Sequence, residues 1–551
     1  MPIPKVIFQP DSAVHLKQGF DRMADLLAIT LGPSQGHIVN QSQTKDRPEL
    51  LDDAATVARR VIALPDRRQD VGAMMLRQMT WRVHTQLGDG SATAAVLAKA
   101  ILHEATRMVT AGAEAVLVQE GIRKAADAAG TALRNMAQPV GGQEDLAAVA
   151  QTVTGNADLA WVLGEMFDLL GPHAYITVEN YVASFLERVY YEGGRWRGRI
   201  ISPYLITAPT RGQAIQKECS IALYAGHLQD ADALGPLLDV AARQEPPRLL
   251  LVAHQISGEA VNGLVAAHLD PKSELKVTAA ALNIGGETGH RELDDLALLA
   301  GATLLGEDVG RPLESVKAED LGRAGRIEVD KEALFVVDGG GDERALRERI
   351  SAWQGRLDSL PADDDDRDEL QKRLTRLSGS AGLLKVGAPT KAERDVLRQK
   401  AEQGIRVLAA TMAEGVLPGG GIAYARAAAR IDPDRAASPD EQLGMIAVKN
   451  ALPAPFFQII RNAQGSAGSG TDGSSVKAPG VILEQALEAG EGYVYDVERE
   501  DICSARTAGV MDAAGIARQV LKTAASGAMM ALSVDVTVLK KRPVTNVSYE
   551  P

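Results

Sequence analysis

The sequence predicts a multidomain, helix-rich α/β protein, and three observations lead there. At 551 residues the chain exceeds what one hydrophobic core can organise, so several domains are expected. Roughly the first 135 and last 140 residues are rich in Ala, Leu and Val at helical spacing, as in 71–84 and 121–136. The middle changes period. Ala174-Tyr175-Ile176-Thr177-Val178-Glu179 and Arg248-Leu249-Leu250-Leu251-Val252-Ala253 are short β-type runs, and the second leads into a helix-like stretch at 258–269.

In chain order, a helical stretch at 21–29 ends in the turn Thr30-Leu31-Gly32-Pro33-Ser34-Gln35-Gly36. A second small-residue turn, Gly88-Asp89-Gly90-Ser91-Ala92-Thr93, runs into the apolar helical pattern at 94–102. Such a turn has two readings. Asp-Gly before a helix is an ordinary turn and cap. It is also a recipe for holding a phosphate with its Mg²⁺: glycines let the backbone approach an anion, free N–H groups and the helix dipole favour negative charge, and Asp89 can ligate a hard cation. Further on, 343–357 and 368–377 read as two helices joined by the acidic turn Pro361-Ala362-Asp363-Asp364-Asp365-Asp366, a solvated turn rather than a metal site. Residues 464–475 form the most loop-like segment, and no repeat with a period of about 20–50 residues is apparent.

Composition narrows the function classes. The 59 basic against 72 acidic side chains give a net charge of −13, which argues against a general nucleic-acid or membrane surface. Cys219 and Cys503 lie far apart without CxxC or CxxH spacing, so neither a disulfide framework nor a zinc site is expected. No stretch approaches the roughly 20 apolar residues of a membrane span, and Met1-Pro2-Ile3-Pro4-Lys5 has no signal-peptide pattern. The expected location is a reducing cytoplasm.

Thr30-Leu31-Gly32-Pro33, then Asp53 ahead of Thr56-Val57-Ala58-Arg59, the turn at 88–93, and Glu414-Gly415-Val416 leading into Gly419-Gly420-Gly421 together resemble the group I chaperonins of the GroEL type. Ile200-Ile201-Ser202-Pro203-Tyr204-Leu205, Glu319-Asp320-Leu321-Gly322, Lys385-Val386-Gly387-Ala388, Ala454-Pro455-Phe456 and Asp512 extend the resemblance in the same order along nearly the whole chain. It implies a discontinuous three-domain protomer. An equatorial ATP-binding domain would comprise 1–136 and 411–551, an intermediate hinge domain 137–191 and 377–410, and an α/β apical substrate-binding domain 192–376.

The resemblance further implies that Thr30, Leu31, Gly32, Pro33, Gly90, Ser91, Ala92 and Thr93 wrap the phosphates of ATP and that Asp89 holds Mg²⁺. Gly420, Asp496 and Asp512 would lie at the nucleoside. Asp53 would stand near the terminal phosphate, orienting water or a monovalent cation such as K⁺, although its position before Ala54 equally suits a helix N-cap. Gln403 is the main departure: the family carries there the aspartate that activates the hydrolytic water. An amide cannot take up a proton as a carboxylate does, but it can position water, as a glutamine does in some GTPases. The neighbouring Glu402 is rotated by about 100° around the helix and cannot simply substitute. Asp52, Ala54, Ala92 and Asp496-Val497-Glu498 also depart from the family pattern.

For polypeptide binding, the matching apical positions are Ile200, Ser202, Tyr204, Leu205, Gly235, Leu238, Val261, Val265 and Ala266, on a strand-like segment at 200–205 and helix-like segments at 231–242 and 258–269. Several of these are small, and each missing methylene would weaken the grip by about 0.8 kcal/mol. Core packing is the competing reading for Leu238 and Val261. Residues 540–551 lack a Gly- and Met-rich tail. The resemblance thus implies an ATP-dependent protein that binds unfolded polypeptides in a homo-oligomeric ring, with a co-chaperonin as an optional partner and with slow hydrolysis. The alternative is a non-hydrolysing scaffold or a binding module for one dedicated partner. A metabolic enzyme is disfavoured, because no Walker A motif, nucleophile-elbow serine, HExxH or Rossmann fingerprint is found.

Overall fold

The computed structural model describes residues 5–539 except 34–35, 37, 42–48, 52, 172–173, 210–211, 283–285, 308, 361–368, 371–372, 375–376, 378–379 and 467–477. Ser34, Gln35, Asp52, the acidic run at 363–366, most of the loop at 464–475, and the two termini therefore lie outside the described residues. The chain divides into two compact units, Met1–Leu169 with Ala388–Pro551, and Leu170–Gly387.

The first unit is helical and is built from both ends of the chain. Its terminal strands Lys5–Phe8 and Val536–Leu539 pair antiparallel, and Ser12 and Thr537 share a hydrogen bond of 2.8 Å beside them. Two helix crossings explain how Ala-rich helices pack closely enough to form a core. At the first, Asp11–Ala28 meets Asp70–Leu87: a β-carbon on Gly19 would lie 1.8 Å from the Gln69 carbonyl oxygen, and one on Gly72 would lie 1.9 Å from that of Leu16. At the second, Ala115–Met136 meets Pro439–Ala451, with Gly121 and Gly444 pressed against the main chain of Glu441 and Val118. Each crossing places glycine on both helices, so any side chain there forces the backbones apart. Along Pro439–Gly465 one helical stretch is long and apolar enough to span a bilayer, which the sequence reading did not anticipate; half of its most apolar window is buried inside the fold.

The second unit is α/β. Among the described residues ten strands form one mixed sheet in the order Tyr175–Asn180, Ser380–Val386, Leu186–Arg197, Ala333–Gly339, Gly322–Val329, Ala214–Leu228, Arg248–Ile256, Lys276–Ala281 and Arg199–Ile200, with Leu304–Leu305 paired parallel to Ala214–Leu228. Strand alternation sorts its side chains onto two faces. Ile221, Leu223, Leu250 and Val252 join a core with the helices Gly286–Ala300 and Glu343–Ser359, while Ala222, Leu249, Leu251 and Ala253 join a core with the helices Gly235–Ala242 and Glu259–Leu269. The β-runs expected at 174–179 and 248–253 and the helices expected at 258–269 and 343–357 are present with small boundary shifts.

The strand-like expectation at 200–205 is corrected. The strand ends at Ile200, and Pro203–Leu205 forms a single 3₁₀ turn. Pro203 has no N–H to donate to a ladder, and the Ser202 hydroxyl accepts from the Tyr204 N–H at 3.4 Å, closing the turn.

Candidate functional site

The turn at Gly88-Asp89-Gly90 joins two long helices of the first unit. Gly88 caps Asp70–Leu87 with φ 84° and donates its N–H to the His84 carbonyl at 3.0 Å, and Gly90 caps Ser91–Thr110 with φ 88°. Both glycines occupy the left-handed region, where a side chain costs energy. Gly90 also presses on the helix Ala514–Leu532: a β-carbon there would lie 2.5 Å from Val520 Cγ2. A glycine cap supplies no side-chain acceptor, so the first-turn N–H groups of Ser91, Ala92 and Thr93 open beside Asp89 without a side-chain cap. The Ser91 hydroxyl turns inward and donates to the Thr80 carbonyl at 3.2 Å, which leaves its backbone N–H as its donor toward the turn.

The loop after Ala28 comes in through another helix. Asn462, on Ala454–Ser466, donates to the carbonyls of Ala28 and Leu31, both at 2.8 Å, and Ile459 packs 3.2 Å from the β-position of Gly32, whose φ is 95°. Thr30 donates its hydroxyl to Leu27 at 2.8 Å, and the N–H groups of Thr30 and Leu31 close the helix end. Pro33 is exposed. The first turn of the same helix lies against Gly421, where a β-carbon would lie 2.6 Å from the Phe456 nitrogen. The two glycine turns, at 32 and at 419–421, are thus held on adjacent turns of one helix.

Asp512 reaches this place through a short ribbon. Val416–Pro418 pairs antiparallel with Met511–Ala513, and Asp512 Oδ1 lies 3.2 Å from the β-position of Gly419. Beside Gly420 stands the hairpin of Tyr493–Asp496 with Asp501–Ser504. Within it Asp496 is buried, and it accepts from the N–H groups of Glu498 at 2.9 Å and Arg499 at 3.3 Å. It organises the hairpin turn.

Asp53 does serve as an N-cap, accepting from the Thr56 N–H at 2.8 Å and the Thr56 hydroxyl at 2.7 Å through Oδ2. Its other oxygen faces His84 Nδ1 at 3.8 Å. Neither His84 nor the group next to it, Arg406, was singled out from the sequence. Both are brought in by packing: the helix Lys391–Glu414 lies over Gly88, so a β-carbon there would meet the Gln403 carbonyl oxygen at 3.1 Å and Arg406 Nε at 3.3 Å. Gln403 is buried. Glu402 is ion-paired with Arg398 at 3.1 Å. The helix end is tied to Ala514–Leu532 by the bidentate pair of Glu414 with Arg518.

The electrostatics mark this place as a concentration of negative charge. Solvent reaches Asp89, yet protein crowds its other sides, and this desolvation followed by the nearby Asp53 raises its carboxyl above the usual range against the lowering effect of the Gly90 N–H. Burial and then Asp89 push Asp512 up to about 7. Burial, then Asp512 and Asp89, hold the Tyr424 hydroxyl well above its ordinary value; it donates to the Ala517 carbonyl at 2.9 Å. His84 is depressed by burial and by Arg406, and Asp53 opposes that shift. Among the described residues no group of three or more His, Cys, Asp or Glu side chains could enclose a metal by itself.

In the second unit the apolar positions divide by exposure. Tyr204 is 70% exposed, Ala266 and Gly235 are also exposed, and Ile200, Leu238, Val261 and Val265 are partly exposed while packing on the core. Leu205 is fully buried and Ser202 nearly so, so these two support the surface from below and do not line it, contrary to expectation.

A model of the TCP-1/cpn60 chaperonin family matches residues 23–167 and 244–542, and the chain belongs to that family. Its fold is similar to crystal structures of the chaperonin gp146 from the bacteriophage EL 2 (Pseudomonas aeruginosa), determined in the presence of ATP-BeFx in two crystal forms. Crystal form II matches at 17% identity with a TM-score of 0.72, and crystal form I at 16% with 0.65; in both cases 98% of this chain and 99% of the other are covered. The multidomain α/β chaperonin fold expected from the sequence is therefore the fold of this protein.

Proposed function

We propose that this protein is a cytoplasmic, ATP-dependent chaperonin that binds unfolded polypeptides and assists their folding in a homo-oligomeric ring, with slow hydrolysis. The carrying observation is Asp89 on a glycine-flanked turn at the N-terminus of a 20-residue helix, within electrostatic reach of Asp53 and Asp512. Mutually repelling carboxylates beside open N–H groups favour a divalent cation paired with a polyphosphate. Asp89 would hold Mg²⁺, which when bound neutralises phosphate charge. The N–H groups of Ser91, Ala92 and Thr93 and the loop Thr30-Leu31-Gly32-Pro33 would contact the phosphates. Gly420, Asp512 and the hairpin carrying Asp496 would border the nucleoside. The ATP-BeFx present with the similar phage chaperonin supports the nucleotide reading.

Gln403 supports slow turnover, since an amide positions water without accepting its proton. Tyr204, Ala266 and the partly exposed Leu238, Val261 and Val265 are the proposed polypeptide contacts, on an apical domain of 192–376, with hinge segments 137–191 and 377–410. Single-turnover hydrolysis, together with suppression of aggregation of a denatured test protein, examines both halves of the reading. Slow ATP cleavage and ATP-sensitive suppression are expected; hydrolysis at the rate of an ordinary chaperonin would remove the claim of impairment. Gln403 also favours a second reading, a scaffold in which ATP is bound without turnover, and zero hydrolysis with retained binding would select it.

A further inference from the structure

We propose that Arg406 supplies positive charge to the terminal phosphate during hydrolysis, so that Gln403 and Arg406 act as a water-positioning and charge-stabilising pair. The proposal rests on the nucleotide reading above and assigns the hydrolytic groups within it.

Placement comes first. Residues 403 and 406 are three apart on Lys391–Glu414, which puts them on one face. Both meet the phosphate turn at the same point: the β-position of Gly88 lies 3.1 Å from the Gln403 carbonyl oxygen, 3.3 Å from Arg406 Nε and 3.4 Å from Arg406 Cβ.

The charge of Arg406 is also uncommitted. Arg398 on the same helix is paired with Glu402, and Arg518 across from its end with Glu414. Among the described residues no carboxylate lies within ion-pair distance of Arg406, and Glu402 acts on it only at longer range. At the turn it is within electrostatic reach of His84, which burial and then Arg406 depress. A guanidinium keeps its proton under such crowding, so its charge awaits an anion.

The chemistry explains why the two residues occur together. A carboxylate at 403 would sit three residues from Arg406 and pair with it, withdrawing the guanidinium from the turn. A neutral amide leaves the cation available. In hydrolysis the water oxygen forms a bond to the γ-phosphorus while the bond from that phosphorus to the β,γ-bridging oxygen breaks. ADP leaves with the bonding electron pair, and the proton of the water passes to a γ-phosphate oxygen, giving inorganic phosphate. An amide suffices to orient the water in such a path, and a nearby guanidinium lowers the energy of the charge developing on the equatorial oxygens and the leaving group.

The test uses the assembled full-length protein, with Arg406→Ala and Arg406→Lys, in single-turnover hydrolysis and in calorimetry with Mg·ATP and with Mg·ADP–aluminium fluoride. Arg406→Ala should slow cleavage by about 10³-fold while ATP affinity changes only a few-fold, and it should lose affinity for the aluminium fluoride complex selectively. Arg406→Lys should recover part of both. Unchanged cleavage in Arg406→Ala, an equal loss of both affinities, or a wild-type protein that binds ATP without cleaving it would overturn the Arg406 assignment alone. A wild-type protein that binds no Mg·ATP overturns the nucleotide reading as well.

Discussion

Gly88 lies directly beneath the main-chain carbonyl of Gln403, close enough that a methyl group at residue 88 would stand 3.1 Å from that oxygen. The helix that carries the departure from the family pattern is thus in contact with the turn that carries Asp89. Because Gly88 also has φ 84°, Gly88→Ala should cost about 1–2 kcal/mol from backbone strain and shift the helix above it. A lower urea midpoint accompanied by slower ATP cleavage is expected; an unchanged midpoint would contradict the strain assigned to residue 88.

Gln403→Asp restores a group able to accept a proton. In an Arg406→Ala background, where no guanidinium pairs with the new carboxylate, it should accelerate single-turnover cleavage by about 10²-fold, on the usual scale of general-base catalysis. With Arg406 present the gain should be smaller or absent, because the carboxylate three residues away pairs with the guanidinium and draws it from the turn. No acceleration in the Arg406→Ala background would mean that the side chain at 403 does not reach the attacking water.

Some of this was legible in the sequence, and the limits have physical causes. Gly88 and Gly90 announce themselves because glycine tolerates the positive φ that both adopt on either side of Asp89. The sequence allows Asp53 two roles, and the structure shows the N-cap of Ala54–Arg60 through one oxygen while the other faces His84. Arg406 and His84 escaped notice because they meet through the packing of helices more than 300 residues apart in sequence; the one local signal was the three-residue spacing from Gln403 to Arg406. The burial of Leu205 and the inward hydroxyl of Ser91 depend on which face of a turn points into the core, and periodicity does not encode that over so few residues.

Acidity should expose the carboxylate cluster. Asp512 titrates at about 7 in the folded protein, above its unfolded value of about 3.9, so the folded state holds more protons between those limits. Its effect on stability is therefore favourable as pH falls from about 7 toward 4, and the full penalty applies above 7. His84, depressed in the fold, works oppositely below about pH 6.5, so the comparison of wild type with Asp512→Asn isolates the carboxylate. The variant, free of nucleotide, should melt higher than wild type at alkaline pH, with the difference shrinking toward pH 5. Parallel melting curves would contradict the assignment.

Tyr204 is the most exposed large apolar side chain among the proposed polypeptide contacts. Tyr204→Ser should weaken suppression of aggregation and leave Mg·ATP binding unchanged, since the residue lies in the second unit. Full suppression by the variant would remove this surface from the account.

The central claim is that Asp89 binds the cation that accompanies ATP. Isothermal titration of the assembled protein with ATP, with and without Mg²⁺, before and after Asp89→Ala, tests it most directly. Magnesium-dependent binding that disappears in the variant is predicted. Binding that ignores magnesium, or that survives Asp89→Ala undiminished, would contradict it.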